Sequence, residues 1–169
     1  MKIGLVSDTH LPRFGRRLPA PLVEGLQGHG VSRILHMGDL TSSLALELFE
    51  AIAPVDAVAG NNDGPELHAA LGRKRIVEVD GVRIGMAHGD WPPGRERTVE
   101  KAVGLFEWDR LDVLCFGHSH IPCIERRGEM WIVNPGSPTD KRRQPRYSYG
   151  ILTIEGGVVT PELFYYDKT

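Results

Sequence analysis

Ile3-Gly4-Leu5-Val6-Ser7-Asp8-Thr9-His10 is the stretch on which the reading of this chain turns. A short apolar run gives way at once to hydroxyls, a carboxylate and an imidazole, the pattern of a strand that ends on chemistry. Outward from it the alternation repeats. An amphipathic segment at Leu22 to Leu26 precedes a second apolar run at Ile34-Leu35; a longer one at Leu44 to Ile52 precedes a third at Val55 to Val58. This βαβαβ order predicts a sheet containing parallel strands with helices packed on its face.

Beyond Gly64 the character changes. Arg75 to Val79 and Val82 to Met86 flank Asp80-Gly81, and Asp-Gly takes the positive φ angles of a tight hairpin. A helix is predicted from about Glu96 to Trp108 and a buried strand from Asp112 to Phe116. Two further hairpins follow, Ile121 to Arg126 with Met130 to Val133 around Arg127-Gly128, and Tyr149 to Ile154 with Val158 to Tyr166 around Gly156-Gly157. The whole reads as an α/β chain of two packed sheets flanked by helices. With 169 residues, no internal repeat and no linker, one domain over 1–169 is expected, large enough for its own core.

Bulk charge excludes little. A formal net charge of -2 with 25% charged residues points to neither nucleic acid nor a membrane surface as partner. The apolar run at the start is too short for a signal peptide and no later one approaches a membrane span, so a cytoplasmic protein is expected. Cys115 and Cys123 read as reduced thiols rather than a disulfide.

The hard-ligand residues fall just after apolar runs: Asp8 and His10, Gly38-Asp39, Gly60-Asn61-Asn62-Asp63, His88, and Gly117-His118-Ser119-His120. In open α/β sheets ligands bind beyond the carboxyl ends of the strands, so five such endings can meet at one rim. In extended backbone, residues two apart face the same side, which would aim Asp8 with His10 and His118 with His120 at a common point. Glycines before Asp39, Asn61 and His118 allow close backbone approach. Carboxylate, imidazole and amide oxygen without thiolate suit manganese, iron, nickel, cobalt or zinc, of which manganese is the expected metal. Seven ligands exceed one tetrahedral ion and fit two divalent ions sharing a carboxylate.

This ordered set, Asp8-x-His10, Gly38-Asp39, Gly60-Asn61-x-Asp63, His88 and Gly117-His118-x-His120, resembles the calcineurin-like metallophosphoesterase superfamily. Size and Asn134-Pro135-Gly136-Ser137 resemble its small bacterial and archaeal phosphodiesterase branch, to which the retromer cargo-binding subunit is similar in fold. The likeness runs from Lys2 to about Ile154. It implies a four-layer α-β-β-α sandwich of two mixed sheets. It further implies that Asp8, His10 and His120 hold one ion, that Asn61, His88 and His118 hold the other, and that Asp39 bridges them. Metal-bound water or hydroxide is then the expected nucleophile, with Asp39 organising the metals and Asn61 or His88 contacting the phosphoryl oxygens. Homo-oligomers of two or four chains are also compatible with the resemblance.

Where many phosphomonoesterases of that superfamily carry a proton-donating His, this chain has Asn62. An amide supplies no proton, so diesters and good leaving groups are expected among the small or nucleotide-like phosphate ester substrates, with phosphomonoesters and a protein-interaction scaffold as the alternatives. Asn62, Arg142 and Arg143 are the candidate substrate contacts, the arginines lying in a run with Lys141 and Arg146 that otherwise reads as a solvated loop. Arg13, Arg16 and Arg17 after His10 read the same way, and Trp91-Pro92-Pro93 either walls the pocket or packs a turn. Asp63 reads equally as a helix N-cap or as a partner for a ligand imidazole. His36 reads as a hydrogen-bonded packing residue, His29 and His68 as surface residues.

Overall fold

A computed structural model describes residues 1–167. The opening run forms β1 (Lys2–Val6), followed by α1 (Ala20–Gly28), β2 (Arg33–His36), α2 (Ser43–Glu50), β3 (Val55–Ala57) and α3 (Pro65–Leu71). β1 pairs in parallel with β2, and β2 with β3, as the alternation requires. The remaining elements are β4 (Lys74–Val79), β5 (Val82–Ala87), α4 (Thr98–Leu105), β6 (Val113–Cys115), β7 (Cys123–Arg127), β8 (Met130–Asn134), β9 (Tyr147–Glu155) and β10 (Val158–Tyr166).

Two mixed five-stranded sheets result, ordered β10-β9-β1-β2-β3 and β4-β5-β6-β8-β7. All three expected hairpins form, each with a two-residue connection: Val79 opposes Val82, Arg127 opposes Met130, and Glu155 opposes Val158. At the first, Asp80 and Gly81 have φ of 50° and 79°, the pair of positive angles that matches the twist of the flanking strands. The last hairpin returns β9 to lie antiparallel beside β1, so the C-terminal strands complete the sheet begun by the N-terminus.

The central core lies between the sheets. Ile3, Leu5, Leu35 and Met37 from one face meet Val77, Ile84, Met86 and Val113 from the other, with Leu152 and Ile154 of β9. Outside the first sheet, Leu22 and Leu26 of α1 and Phe49 of α2 pack over Val6, Ile34 and Ile151. Outside the second, Val99 and Ala102 of α4 pack over Ala87, Leu114 and Ile132. This is the four-layer sandwich. α4 is shorter than its expected span, and Trp108 beyond it is 92% exposed, because the apolar spacing ends at Phe106 and leaves Trp108 off the packed face. Both cysteines are free, Cys115 buried between strands and Cys123 half-buried. None of the described helices is long and apolar enough to cross a membrane.

Candidate functional site

β1, β2 and β3 of one sheet and β5 and β6 of the other all end toward the same edge of the sandwich, and the loops that leave them carry every expected ligand. Asp8 and His10 follow β1, Asp39 follows β2, Asn61 follows β3, His88 follows β5, and His118 and His120 follow β6. Asp8 Oδ1 lies 3.4 Å from His120 Nε2 and 3.6 Å from His88 Nε2. Asp39 Oδ2 lies 3.5 Å from His10 Nε2 and 3.3 Å from His88 Nε2. Asn61 Oδ1 is 3.0 Å from both His88 Nε2 and His118 Nδ1. Seven side chains from five loops thus converge.

Convergence does not arise by strand alternation, as the sequence suggested. Asp8, His10, Asp39, His118 and His120 all have positive φ, between 47° and 69°, in turns outside the strands. Side chains with a Cβ resist this region at a cost of roughly 1–3 kcal/mol each, so the backbone must be held there. The holding bonds are visible. Asp8 N-H donates to the Gly38 carbonyl and His10 N-H to that of Asp39, while Gly117 N-H reaches the His88 carbonyl. Ser137 and Thr139 hydroxyls donate to the carbonyls of Asp8 and Thr9.

Close approach of the loops requires glycine at two positions in particular. A Cβ on Gly60 would sit 2.8 Å from the Asp39 backbone nitrogen, and one on Gly117 would sit 2.7 Å from Asp8 Oδ2 and collide with Ser7 Oγ.

Ring tautomers are set by main-chain oxygens. His88 Nδ1 donates to the Met37 carbonyl and His120 Nδ1 to that of Asp140, which leaves each Nε2 facing the cluster. His118 presents Nδ1 instead. Three buried atoms in the cluster, Asp8 Oδ1, His10 Nε2 and His120 Nε2, have no hydrogen-bond partner. Unpartnered buried nitrogen and carboxylate oxygen aimed at one point is costly unless a cation completes the set, and this hard N/O donor set fits a divalent ion. Asp8, His10 and His120 form one candidate group, and Asp8, Asp39 and His88 another.

The electrostatics carry the same imprint. Burial opposes charge on His88, yet the Asp8 and Asp39 carboxylates outweigh it and raise the imidazole to about 9. Burial also works against the Asp39 carboxylate, but His88 and the Asn62 donors hold it well below the usual range. His10 and His118 are pushed down by burial, the latter also by His88. One side of the cluster is dry and the other open: Asp8, His10 and His120 are buried, His118 is half-buried and Asn61 is exposed.

Asp63 neither caps α3, whose N-cap is Gly64, nor touches an imidazole. Its buried carboxylate accepts N-H bonds from Asp39 and Gly60 on Oδ2 and from Thr41 on Oδ1, at 2.7 to 2.9 Å. It clamps the β2 loop to the β3 loop. Asn62 gives both its backbone N-H and its side-chain amide to Asp39, each at 2.8 Å. Arg142 is exposed, with Nε 4.0 Å from Asp140 Oδ2, Arg143 is exposed without an ion pair among the described residues, and Arg146 turns away to Asp167.

His36 accepts from Gly38 N-H on Nδ1, so its Nε2 carries the proton and donates to Thr9 Oγ1, a packing role as expected. His68 is not free on the surface; its Nε2 binds the Gly60 carbonyl at 2.9 Å. The Ser137 and Thr139 supports escaped the sequence reading. Their signal was a run of capping residues after Asn134; the Met37 and Asp140 carbonyls left none.

A family model described as the calcineurin-like phosphoesterase superfamily domain matches residues 1–157. A probable metallophosphoesterase of Methanothermobacter thermautotrophicus is 36% identical over 163 residues, covering 96% of this chain and 91% of that protein. Phosphodiesterase YfcE of Escherichia coli is 30% identical over 168 residues, covering 90% and 87%. In fold the chain is similar to Vps29 of Chaetomium thermophilum, with a TM-score of 0.78 at 22% identity over 100% of both chains.

Proposed function

The chain belongs to the calcineurin-like phosphoesterase superfamily and is a metal-dependent phosphoesterase, and from that premise we propose that it hydrolyses small phosphodiesters with two divalent ions. The observation that carries the proposal is the set of unpartnered buried donors, Asp8 Oδ1, His10 Nε2 and His120 Nε2, beside a second group at Asp8, Asp39 and His88, next to which Asn61 Oδ1 lies 3.0 Å from both His88 Nε2 and His118 Nδ1. Asp8, His10 and His120 would hold one ion, Asn61, His88 and His118 the other, with Asp39 shared. Manganese is the ion put first, and nickel, iron, zinc and cobalt are equally compatible with such N/O donors. When bound, such cations lower the pKa of water and neutralise charge on phosphoryl oxygens.

The chain's own residues do the positioning. Met37 and Asp140 carbonyls keep Nδ1 of His88 and His120 protonated and Nε2 available. Asn62 grips both oxygens of Asp39, which fixes the shared carboxylate and leaves no proton donor at that position. A leaving group that departs as a stable anion needs none, which favours aryl and other activated diesters over alkyl monoesters. Asn61 and His118 are the least buried members of the cluster.

The test compares hydrolysis of bis-p-nitrophenyl phosphate and p-nitrophenyl phosphate by metal-stripped protein resupplied with manganese, nickel or zinc. Diester turnover that requires metal and is lost in Asp39→Asn is the expected result. Preference for the monoester would remove the argument from Asn62, and absence of turnover with every metal would overturn the catalytic reading.

A further inference from the structure

Between the loop of residues 11–19 and the segment 138–147 lies a cavity of about 200 Å³ that the proposed chemistry leaves unused. Its lining is dominated by rings: Phe14, Tyr147, Tyr166, Pro19 and Pro138, with Arg17 also on its wall. Tyr147 and Tyr166 stack with centroids 5.6 Å apart, and the Tyr166 hydroxyl donates to the Pro138 carbonyl, so that side is rigid. The facing side is Phe14, an apolar ring left 41% exposed.

This cavity adjoins the ligand cluster. Phe14 N-H donates to the His10 carbonyl, and its ring meets the His10 ring edge-on at 6.2 Å. From the other wall, Thr139 bonds the carbonyl of Thr9, and its neighbour Asp140 holds His120. Phe14 and Thr139 thus stand both on the wall of the cavity and against the loop that carries Asp8 and His10. A pocket of roughly 150 Å³ accepts benzene, so this one matches a single planar ring in size.

Charge on the two bordering segments is one-sided. In a chain of net charge -2, residues 11–19 and 140–147 together hold Arg13, Arg16, Arg17, Lys141, Arg142, Arg143 and Arg146 against the single acid Asp140. Arg13, Arg16, Arg17, Lys141 and Arg143 make no ion pair among the described residues, and the Arg13 guanidinium lies 5.4 Å over the Phe14 ring. Cations of one sign beside a cleft concentrate anionic substrates, and aromatic walls select flat ones.

We propose that this cavity is the subsite for one ester arm of the substrate, and that the arm ends in a planar aromatic ring, as in a nucleoside phosphodiester. The assignment rests on the phosphodiesterase reading, and the basic loops draw the anionic diester toward the ring slot. Phe14 is the stacking residue and Arg17 the polar contact at the slot.

Two diesters with the same leaving group isolate the arm: p-nitrophenyl thymidine 5′-phosphate and methyl p-nitrophenyl phosphate. Manganese-loaded wild type should prefer the thymidine ester in kcat/KM. Phe14→Ala should reduce that preference about tenfold, within the range for one base stacked on one aromatic side chain. Arg17→Gln should reduce it less, and Trp108→Ala, at a remote exposed ring, should preserve it. A preference that is the same in wild type and Phe14→Ala would overturn the subsite while leaving the phosphodiesterase reading intact. Loss of turnover of both diesters in wild type would instead sink that reading. The subsite has a readout that needs no turnover, saturation transfer from metal-free protein to the base protons of thymidine 5′-monophosphate. Transfer in wild type that disappears in Phe14→Ala supports the slot, and none in wild type overturns it.

Discussion

Replacing Asp63 by Asn separates two roles that the sequence left level. As a helix N-cap, Asn serves about as well as Asp, and the change would cost a few tenths of a kcal/mol at most. As the clamp observed, the carboxylate accepts three N-H donors, from Asp39 and Gly60 on one oxygen and Thr41 on the other, while 7% exposed. Asn keeps one oxygen for the first two donors and turns an NH₂ toward the third. One charge-assisted bond, worth about 1.5–3 kcal/mol, is lost, and the two survivors weaken to neutral strength. The sum is roughly 2–4 kcal/mol, a fall in Tm of about 5–15 °C for a chain of this size. Urea unfolding with an unchanged m-value reads it directly. Because the clamp joins the Asp39 loop to the Asn61 loop, manganese affinity should fall about 10–100-fold as well. A variant within about 0.5 kcal/mol of wild type, the ordinary scatter of a surface substitution, with unchanged manganese affinity, would refute the clamp.

Other outcomes follow from the same geometry. Burial holds His36 neutral, with its imidazole lowered to about 3, so between pH 6.5 and 3 the unfolded chain binds the extra proton. The stability this contributes is whole above pH 6.5 and is lost as pH falls toward 3, about 2 kcal/mol between pH 7 and pH 5; His36→Gln should flatten that limb in urea titrations at the two pH values. Gly117→Ala drives a methyl group against Ser7 and Asp8 and should cost about 1–3 kcal/mol with loss of metal binding, both measurable by metal titration monitored through Tm. Manganese at about one hundred times its dissociation constant should stabilise wild type by about 2.7 kcal/mol, a shift that calorimetry should find missing in Asp8→Asn.

Much of this protein is legible in its sequence. The order of segments from Ile3 to Val58 specified parallel strands with helices between them, because strands buried on both faces read as short continuous apolar runs, set apart by the amphipathic segments between them. Asp80-Gly81 specified a hairpin, because few residue pairs tolerate two positive φ angles. The seven candidate donors stand out for a similar reason: carboxylates and imidazoles that recur just past buried apolar runs are costly to place there unless they bind something in common. What the sequence by itself determined is therefore the list of elements and the inventory of donors.

Tertiary structure decided how those donors are held. The left-handed turns at Asp8, His10, Asp39, His118 and His120 depend on bonds to carbonyls and hydroxyls from distant segments, such as Ser137 and Thr139, 129 and 130 residues from their partners. Asp63 could be a cap or a clamp until the β2 and β3 loops lay side by side, and the Met37 and Asp140 carbonyls that set the tautomers carry no side-chain signature at all. The ring slot beside His10 likewise exists only because β9 and β10 return to the first sheet and bring Tyr147 and Tyr166 opposite Phe14. Local pattern is written in neighbouring residues, whereas hydrogen bonds and cavities between remote segments appear only when the chain has closed on itself.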